Sequence, residues 1–295
     1  MTGIGRPRVA HYGGPGTNTE EATLTIFGQA DLLPCPTFAA IFEAVSAGRA
    51  AFGVVAVENS QAGSINDTYD LLLTYSQTIT IRGEYDLQVH HHLLALPEDS
   101  LADITTALSH PQALAQTQGF LTRHNIKGVI GGDTAGCARQ VREGNLRGHA
   151  AIAARRAAEL YGLRILAENI EDNPHNFTKF LVLARQETEV MPGTFALAPV
   201  APQITKTALI FAVPNVPGSL YHALGPIARN GLNLIKIESR PGRQRPWDYH
   251  FYVDVEGDMT DPRYRAALDE LRQFCLFFAV LGSYHVLNSA RLTVE

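Results

Sequence analysis

Cysteine is scarce in this chain: Cys35, Cys137 and Cys275 are all there is in 295 residues. An odd number at wide spacing excludes a disulfide framework and reads as free thiols in a reducing cytoplasm. Long hydrophobic runs are missing too. No apolar stretch reaches the length of a spanning helix, and the N-terminus lacks a secretory h-region, so no membrane partner is expected. Basic clusters are also absent. Lys and Arg total 24 against 29 Asp and Glu, a net charge of −5, which leaves no footprint for nucleic acid. His90-His91-His92 does not make a metal site, because alternate strand side chains point to opposite faces and no nearby Cys, Asp or Glu completes a tetrahedron. Cys137, beside Ala138, reads as small core packing, since no local His or cation activates it. No metal and no cofactor are expected. What remains is ordinary for a soluble protein, 45% hydrophobic and 18% charged, with length for about two domains.

The order of elements predicts an α/β fold. Val9–Tyr12, Phe52–Val57, Leu93–Leu96, Val129–Ile130 and Phe180–Leu183 are strand candidates. Phe38–Ala47, Thr68–Thr74, Ala113–Arg123, Ala135–Glu143 and Ile152–Tyr161 are helix candidates. Their alternation over residues 7 to about 185 implies parallel sheets with helices on both faces. Residues 186–205 read as a linker broken by Pro192, Gly193, Pro199 and Pro202. Residues 206–295 then follow a β-α-β-β-α-β pattern. Leu209–Val213, Leu234–Ser239, Tyr249–Val255 and Ala279–Val286 are its strands, and Leu220–Asn230 and Pro262–Leu276 its helices, as in ferredoxin-like domains. Such small sheets often pair side by side, so a homodimer or homotetramer is expected.

Polar residues gather where strands end. Asn176-Phe177-Thr178-Lys179-Phe180 places an amide, a hydroxyl and a cation at the head of an apolar run. Either this is an edge strand guarded by Lys, or it borders a cleft for an anion. Glu58-Asn59-Ser60 closes the unalternating run Val54–Val57, at the carboxyl end where open α/β sheets bind ligands. Gly13-Gly14-Pro15-Gly16-Thr17-Asn18-Thr19-Glu20 has capping-box spacing and opens a helix whose free N–H groups suit an anion. It has neither Walker nor Gly-x-Gly-x-x-Gly spacing. Ser109-His110-Pro111-Gln112 and Asp133-Thr134-Ala135 also read as strand-to-helix turns. Each of these is ordinary turn or cap chemistry alone. Together they line a site for a small, negatively charged molecule.

The same segments, in the same order, resemble the prephenate dehydratases over nearly the whole chain. Asn215-Val216-Pro217-Gly218-Ser219-Leu220 and Glu238-Ser239-Arg240-Pro241 resemble the two phenylalanine-binding motifs of the regulatory ACT domain. The resemblance implies a catalytic domain over 1–185 shaped as two lobes like a type II periplasmic binding protein. The chain would cross between lobes near Ile81–Asp86 and Ala167–Asn176. A ferredoxin-like ACT domain over 206–295 would bind L-phenylalanine at Asn215, Val216, Pro217, Gly218, Ser219, Leu220, Glu238, Ser239 and Arg240. The implied reaction is the decarboxylating dehydration of prephenate to phenylpyruvate in phenylalanine biosynthesis. Thr178 would serve the leaving hydroxyl with Lys179 as its cationic neighbour. Thr17, Asn59, Ser60, Ser109, Gln112, Thr134, Asn176 and Phe180 would bind substrate.

The family usually has Thr-Arg-Phe where this chain has Thr178-Lys179-Phe180, and an aromatic where it has Asn18. Arg offers a planar fork to a carboxylate and Lys a point charge. Three alternatives stand: arogenate dehydratase, which the sequence does not separate from the first reading; a cleft repurposed to hydrolyse a small ester or lactone, which this exchange motivates; and a catalytically weak phenylalanine sensor. Thr178 and Lys179 are also adjacent, so in a regular strand they face opposite ways.

Overall fold

The structure is a computed structural model that describes residues 6–197, 205–242 and 248–288. Pro199 and Pro202, two of the expected linker breakers, lie outside the described residues. The first lobe runs through β1 (Arg8–Tyr12), α1 (Asn18–Phe27), β2 (Asp31–Cys35), α2 (Phe38–Ser46), β3 (Phe52–Asn59), the short β4 (Gly63–Ser64), α3 (Asn66–Thr74) and β5 (Ile79–Gln88). The second lobe holds β6 (His92–Ala95), β7 (Thr106–Ser109), α4 (Pro111–Gln116), α5 (Gln118–Arg123), β8 (Lys127–Ile130), α6 (Thr134–Glu143), β9 (His149–Ala153), α7 (Arg155–Tyr161) and β10 (Arg164–Ala167). The chain then returns to the first lobe as β11 (Phe177–Arg185). The C-terminal domain is β12 (Thr205–Ala212), α8 (Ser219–Arg229), β13 (Leu234–Pro241), β14 (Tyr249–Glu256), α9 (Pro262–Arg272) and β15 (Phe277–Asn288).

Both lobe sheets are mixed, not purely parallel as the alternation implies. The first is ordered β5-β11-β3-β1-β2 and the second β10-β6-β9-β7-β8. Parallel pairs lie at β1–β2, β1–β3, β7–β8 and β7–β9. The strands flanking the crossings, β11 and β6, run antiparallel to their neighbours. A return from one lobe to the other enters the sheet from the opposite end, which sets that direction.

Three local expectations change. Ile81–Asp86 lies within β5, and the first crossing is Val89–His91. Ala113–Arg123 is two helices, because Thr117 donates to the carbonyls of Ala113 and Leu114 and leaves helical dihedrals there. Ile152 belongs to β9, not to a helix. Ala150 to Ala153 are fully buried on both faces of the second sheet, and that burial overrides alanine's helix preference.

The C-terminal domain is not a separate ball. Along β12, Leu209 and Phe211 pack under α8 and α9, while Ala208 and Ile210 join the core of the first lobe. Strand β15 pairs parallel with β5, His285 opposite Gly83, which fuses the two sheets into one of ten strands. The linker also packs, with Phe195 stacking edge-on against Phe27 at 5.5 Å.

A buried charge cluster sits in this junction. Glu84 Oε1 accepts from Lys179 Nζ at 2.9 Å and from Lys206 Nζ at 2.5 Å, and Tyr284 donates to Oε2 at 3.3 Å. Burial pushes the Glu84 carboxyl up, but the two ammonium groups more than offset it and hold it below its ordinary value. At Asp254 the nearby ammonium groups of Lys206, Lys236 and Lys179 do not offset burial. Burial and the charge of Glu84 raise Asp254 to about 6. Between its ordinary range near 4 and about 6, the folded protein therefore holds a proton that the unfolded chain has lost. Stability from this group falls as pH rises through that window. Asp254→Asn is expected to raise Tm at pH 7 by about 2–4 °C, the shift that ~1 kcal/mol gives at this size. It should also flatten the Tm profile between about pH 4 and 6, which thermal melts across that range would check.

Candidate active site

Asn59 is the centre of the cleft between the lobes. It ends β3, and its Oδ1 accepts the backbone N–H groups of Gln61 at 3.1 Å and Ala62 at 2.9 Å. This Asx-type turn follows from Asn-Ser at a strand end. With Oδ1 so held, Nδ2 faces the head of β11. It lies 2.9 Å from Asn176 Oδ1, 3.1 Å from the Phe177 carbonyl and 3.0 Å from Thr178 Oγ1. Gln112, at the start of α4 in the second lobe, reaches Asn59 Oδ1 at 3.4 Å. Ser60 clasps the same segment, donating to the His175 carbonyl and accepting from Phe177 N–H. The structure thus gathers Asn59, Ser60, Gln112, Asn176 and Thr178 from both lobes.

The consequence is chemical. The Thr178 hydroxyl accepts from Asn59, and among the described residues it meets no other polar side chain. Its own proton is left to donate into the cleft. A hydroxyl that accepts a hydrogen bond becomes a stronger donor, because the chain of dipoles polarises cooperatively.

Two helix starts meet each other across the lobe boundary. Thr17 caps α1, accepting from Glu20 N–H at 3.3 Å and donating to the Gly14 carbonyl. The expected capping box forms in modified shape, since Glu20 accepts from Gly16 N–H and not from the cap residue. Thr17 thereby uses its hydroxyl within the cap. Thr134 opens α6 behind the Asp133 cap. Gly16, at φ +85°, joins the two helix starts. A Cβ there would lie 3.2 Å from Ala157 Cα and 3.5 Å from Ala135 Cβ, so only glycine lets the lobes approach this closely.

Other candidates go elsewhere. Lys179 does not share the cleft with Thr178. It lies on the opposite face of β11, where its ammonium pairs with Glu84 and, at 3.6 Å, with Asp86. Those carboxylates more than offset its burial and raise its pKa. The bulge in the β3–β11 register falls after Lys179, too late to turn both side chains to one face. Phe180 is 1% exposed and belongs to the core of the first lobe. Ser109 is fully buried, and its hydroxyl donates to the Ile152 carbonyl at 2.7 Å. In the C-terminal domain, Asn215 to Gly218 form an exposed turn into α8, with Gly218 at φ +85°. Ser219 and Leu220 open that helix. On β13, Ser239 faces outward, whereas Lys236, Glu238 and Arg240 turn to the first lobe and meet Glu58, Ser64 and Asp70. Glu238 and Arg240 are therefore interdomain contacts in this conformation.

The histidine run distributes its rings one by one. His90 pairs with Glu171 at 2.7 Å, His91 meets Gln116 at 2.9 Å, and His92 accepts from Asn169 N–H. Gln116 was legible only as the residue one helical turn after Gln112, on the same face. Glu84 carries no local signal, because its partner Lys179 lies 95 positions away, and the Glu58-Asn59-Ser60 motif gives no hint of the Lys236 partner of Glu58, 178 positions away.

A family model for prephenate dehydratase matches residues 9–188, and one for the ACT domain matches residues 207–273. Arogenate dehydratase/prephenate dehydratase 2 of Arabidopsis thaliana, a chloroplastic protein, is 41% identical over 95% of this chain and 73% of its own length. A solved structure of GqqA, described as a novel type of quorum quenching acylase, superposes with a TM-score of 0.84. It is 37% identical and matches over 96% of this chain and 99% of that one. The prephenate dehydratase of Arthrobacter aurescens, solved in complex with L-Phe, gives a TM-score of 0.81 at 33% identity, over 94% of this chain and 89% of its own.

Proposed function

This chain belongs to the prephenate dehydratase family, and from that membership and the Asn59–Thr178 pair we infer that it dehydrates and decarboxylates prephenate to phenylpyruvate. The carbon–carbon bond to the ring carboxylate breaks and releases carbon dioxide. Its electron pair enters the ring, and the ring carbon–oxygen bond breaks. The departing hydroxyl, hydrogen-bonded by Thr178, takes up a proton supplied by solvent and leaves as water. Aromatisation drives the step, so positioning and one well-aimed donor suffice. The observation that carries the reading is the hydrogen bond from Asn59 into Thr178, which leaves the Thr178 proton to meet the leaving hydroxyl. Gln112 and the starts of α1 and α6 are proposed to hold the dicarboxylate, while Asn59, Ser60 and Asn176 hold the Thr178 segment in place. Arogenate has the same reacting ring and differs in the side chain, and the name of the Arabidopsis relative supports it as a second substrate.

L-phenylalanine is the proposed allosteric ligand of the C-terminal domain. The ACT match, the glycine turn at Gly218 and the L-Phe in the Arthrobacter structure support it. A homodimer or homotetramer is proposed as well. Among the described residues, strand β13 is one of the two edges of the ten-stranded sheet, and Val216, Tyr221 and Leu276 expose apolar surface on the same domain. Light scattering would measure the assembly, and a monomer would remove this part.

The likeness to GqqA supports one rival, hydrolysis of an acyl substrate. That chemistry needs a base to activate Thr178 or water, and among the described residues no carboxylate or imidazole bonds Thr178. The test is turnover by purified protein of prephenate, arogenate and N-acyl amides in parallel, each with and without phenylalanine. Phenylpyruvate formation suppressed by phenylalanine is expected. Release of a free amine from N-acyl amides, with prephenate unchanged, would replace this reading.

A further inference from the structure

We infer that His91 and Gln116 are positioning residues for the Thr178 hydroxyl, acting through Asn176 and Asn59. The inference rests on the dehydratase reading for its kinetic test alone. Side-chain amides can be turned end for end without changing their shape, but backbone N–H groups can only donate. The N–H groups of Gln61 and Ala62 therefore fix oxygen at one end of Asn59 and nitrogen at the other. Nδ2 must donate to Asn176 Oδ1 as well as to Thr178. Asn176 then presents its own Nδ2 to Gln116 Oε1, at 3.2 Å. That oxygen also lies 2.9 Å from His91 Nε2 and carries no proton, so His91 must hold one on Nε2.

One backbone anchor thus sets the polarity of four side chains on both sides of the lobe boundary. Asn59 ends β3 in the first lobe, and Asn176 precedes β11. Gln116 ends α4 in the second lobe, and His91 lies on the first crossing. Asn176 is 1% exposed and His91 4%, so water does not stand in for a lost partner. Burial lowers the His91 pKa, which keeps the ring neutral with a single proton to place. The backbone holds the relay in place. Ile170 N–H donates to the His91 carbonyl at 2.9 Å, Asp172 N–H to the Gln116 carbonyl at 2.7 Å, and His91 N–H to Glu171 Oε2 at 3.0 Å. Both crossings between the lobes are tied into the network that orients Thr178.

Two measurements on the full-length protein test this. Nitrogen-15 NMR of the imidazoles should find His91 as the Nε2–H tautomer, and an Nδ1–H tautomer overturns the inference whatever the enzyme turns over. Gln116→Leu keeps most of the volume and removes the acceptor; it should lower kcat about 10- to 100-fold with KM within about threefold. Gln116→Glu, which can accept from both partners, should recover to within about fivefold of wild type. In a Thr178→Val background, Gln116→Leu should have no further effect on the residual rate. Unchanged kcat in Gln116→Leu, no rescue by Glu, or full additivity with Thr178→Val would each overturn it. Absence of turnover in the wild-type protein would sink the dehydratase reading and leave the tautomer to decide this one.

Discussion

Thr178→Val is expected to lower kcat for prephenate by about 10²-fold or more, the usual contribution of a positioned proton donor. The exchange keeps the β-branched shape that suits β11 and removes only the hydroxyl. Asn59 Nδ2 keeps two acceptors, Asn176 Oδ1 and the Phe177 carbonyl, so no buried donor is orphaned. Tm should stay within about 2 °C of wild type, because surviving partners spare the penalty of an unmade hydrogen bond. Thr178→Ser restores the hydroxyl with a looser rotamer and should retain a rate within about tenfold of wild type. Steady-state kinetics and melting curves on the three proteins check both halves. A near-normal rate in Thr178→Val would remove Thr178 from the reaction. Equal loss in Val and Ser variants would mean that packing, not proton donation, is what the position supplies.

Glu84→Ala should produce the largest loss of stability, about 3–5 kcal/mol, the cost of breaking a buried pair by removing one partner. Glu84 is 1% exposed, and one of its oxygens serves two ammonium groups from two domains. Without it, Lys206, itself 6% exposed, faces Lys179 with no shared carboxylate. Glu84→Gln keeps an oxygen for one ammonium and should fall between. Denaturant melts at neutral pH would measure the difference. The sign of the pH dependence is a second check. The folded Glu84 pKa is depressed, so its stabilisation is present above its unfolded pKa and is lost as pH falls through the carboxylate range. Glu84→Ala should therefore show a shallower acid limb than wild type. A melting curve unchanged by Glu84→Ala would mean that this charge cluster adds nothing to the β5–β15 pairing and the apolar packing that join the domains.

Much of the molecule could be read from local pattern. The alternation of elements, the two-domain division, the ferredoxin-like order and the capped start of α1 all rest on periodicity or on residues a few positions apart. So does the grouping of Asn59, Ser60, Gln112, Asn176 and Thr178, since strand ends and helix starts collect polar groups wherever the sheet is open. The failures are of two kinds. Ile152 was misread as helix because alanine's local preference lost to burial on two faces. The resemblance puts Lys179 in the site with Thr178, whereas the period of the strand, already visible in the sequence, sends the two side chains to opposite faces.

The sequence by itself determined the family, the domain order and the hydroxyl proposed to serve the chemistry, because these depend on residue type and short spacing. Only the tertiary structure decided what that hydroxyl receives and where its neighbour goes. Asn59 reaches Thr178 across 119 positions, and Glu84 reaches Lys206 across 122. Pairings at that range carry no local signal. They arise when two crossings and a shared ten-stranded sheet bring distant segments together, so that one face of β11 turns to the cleft and the other to the C-terminal domain.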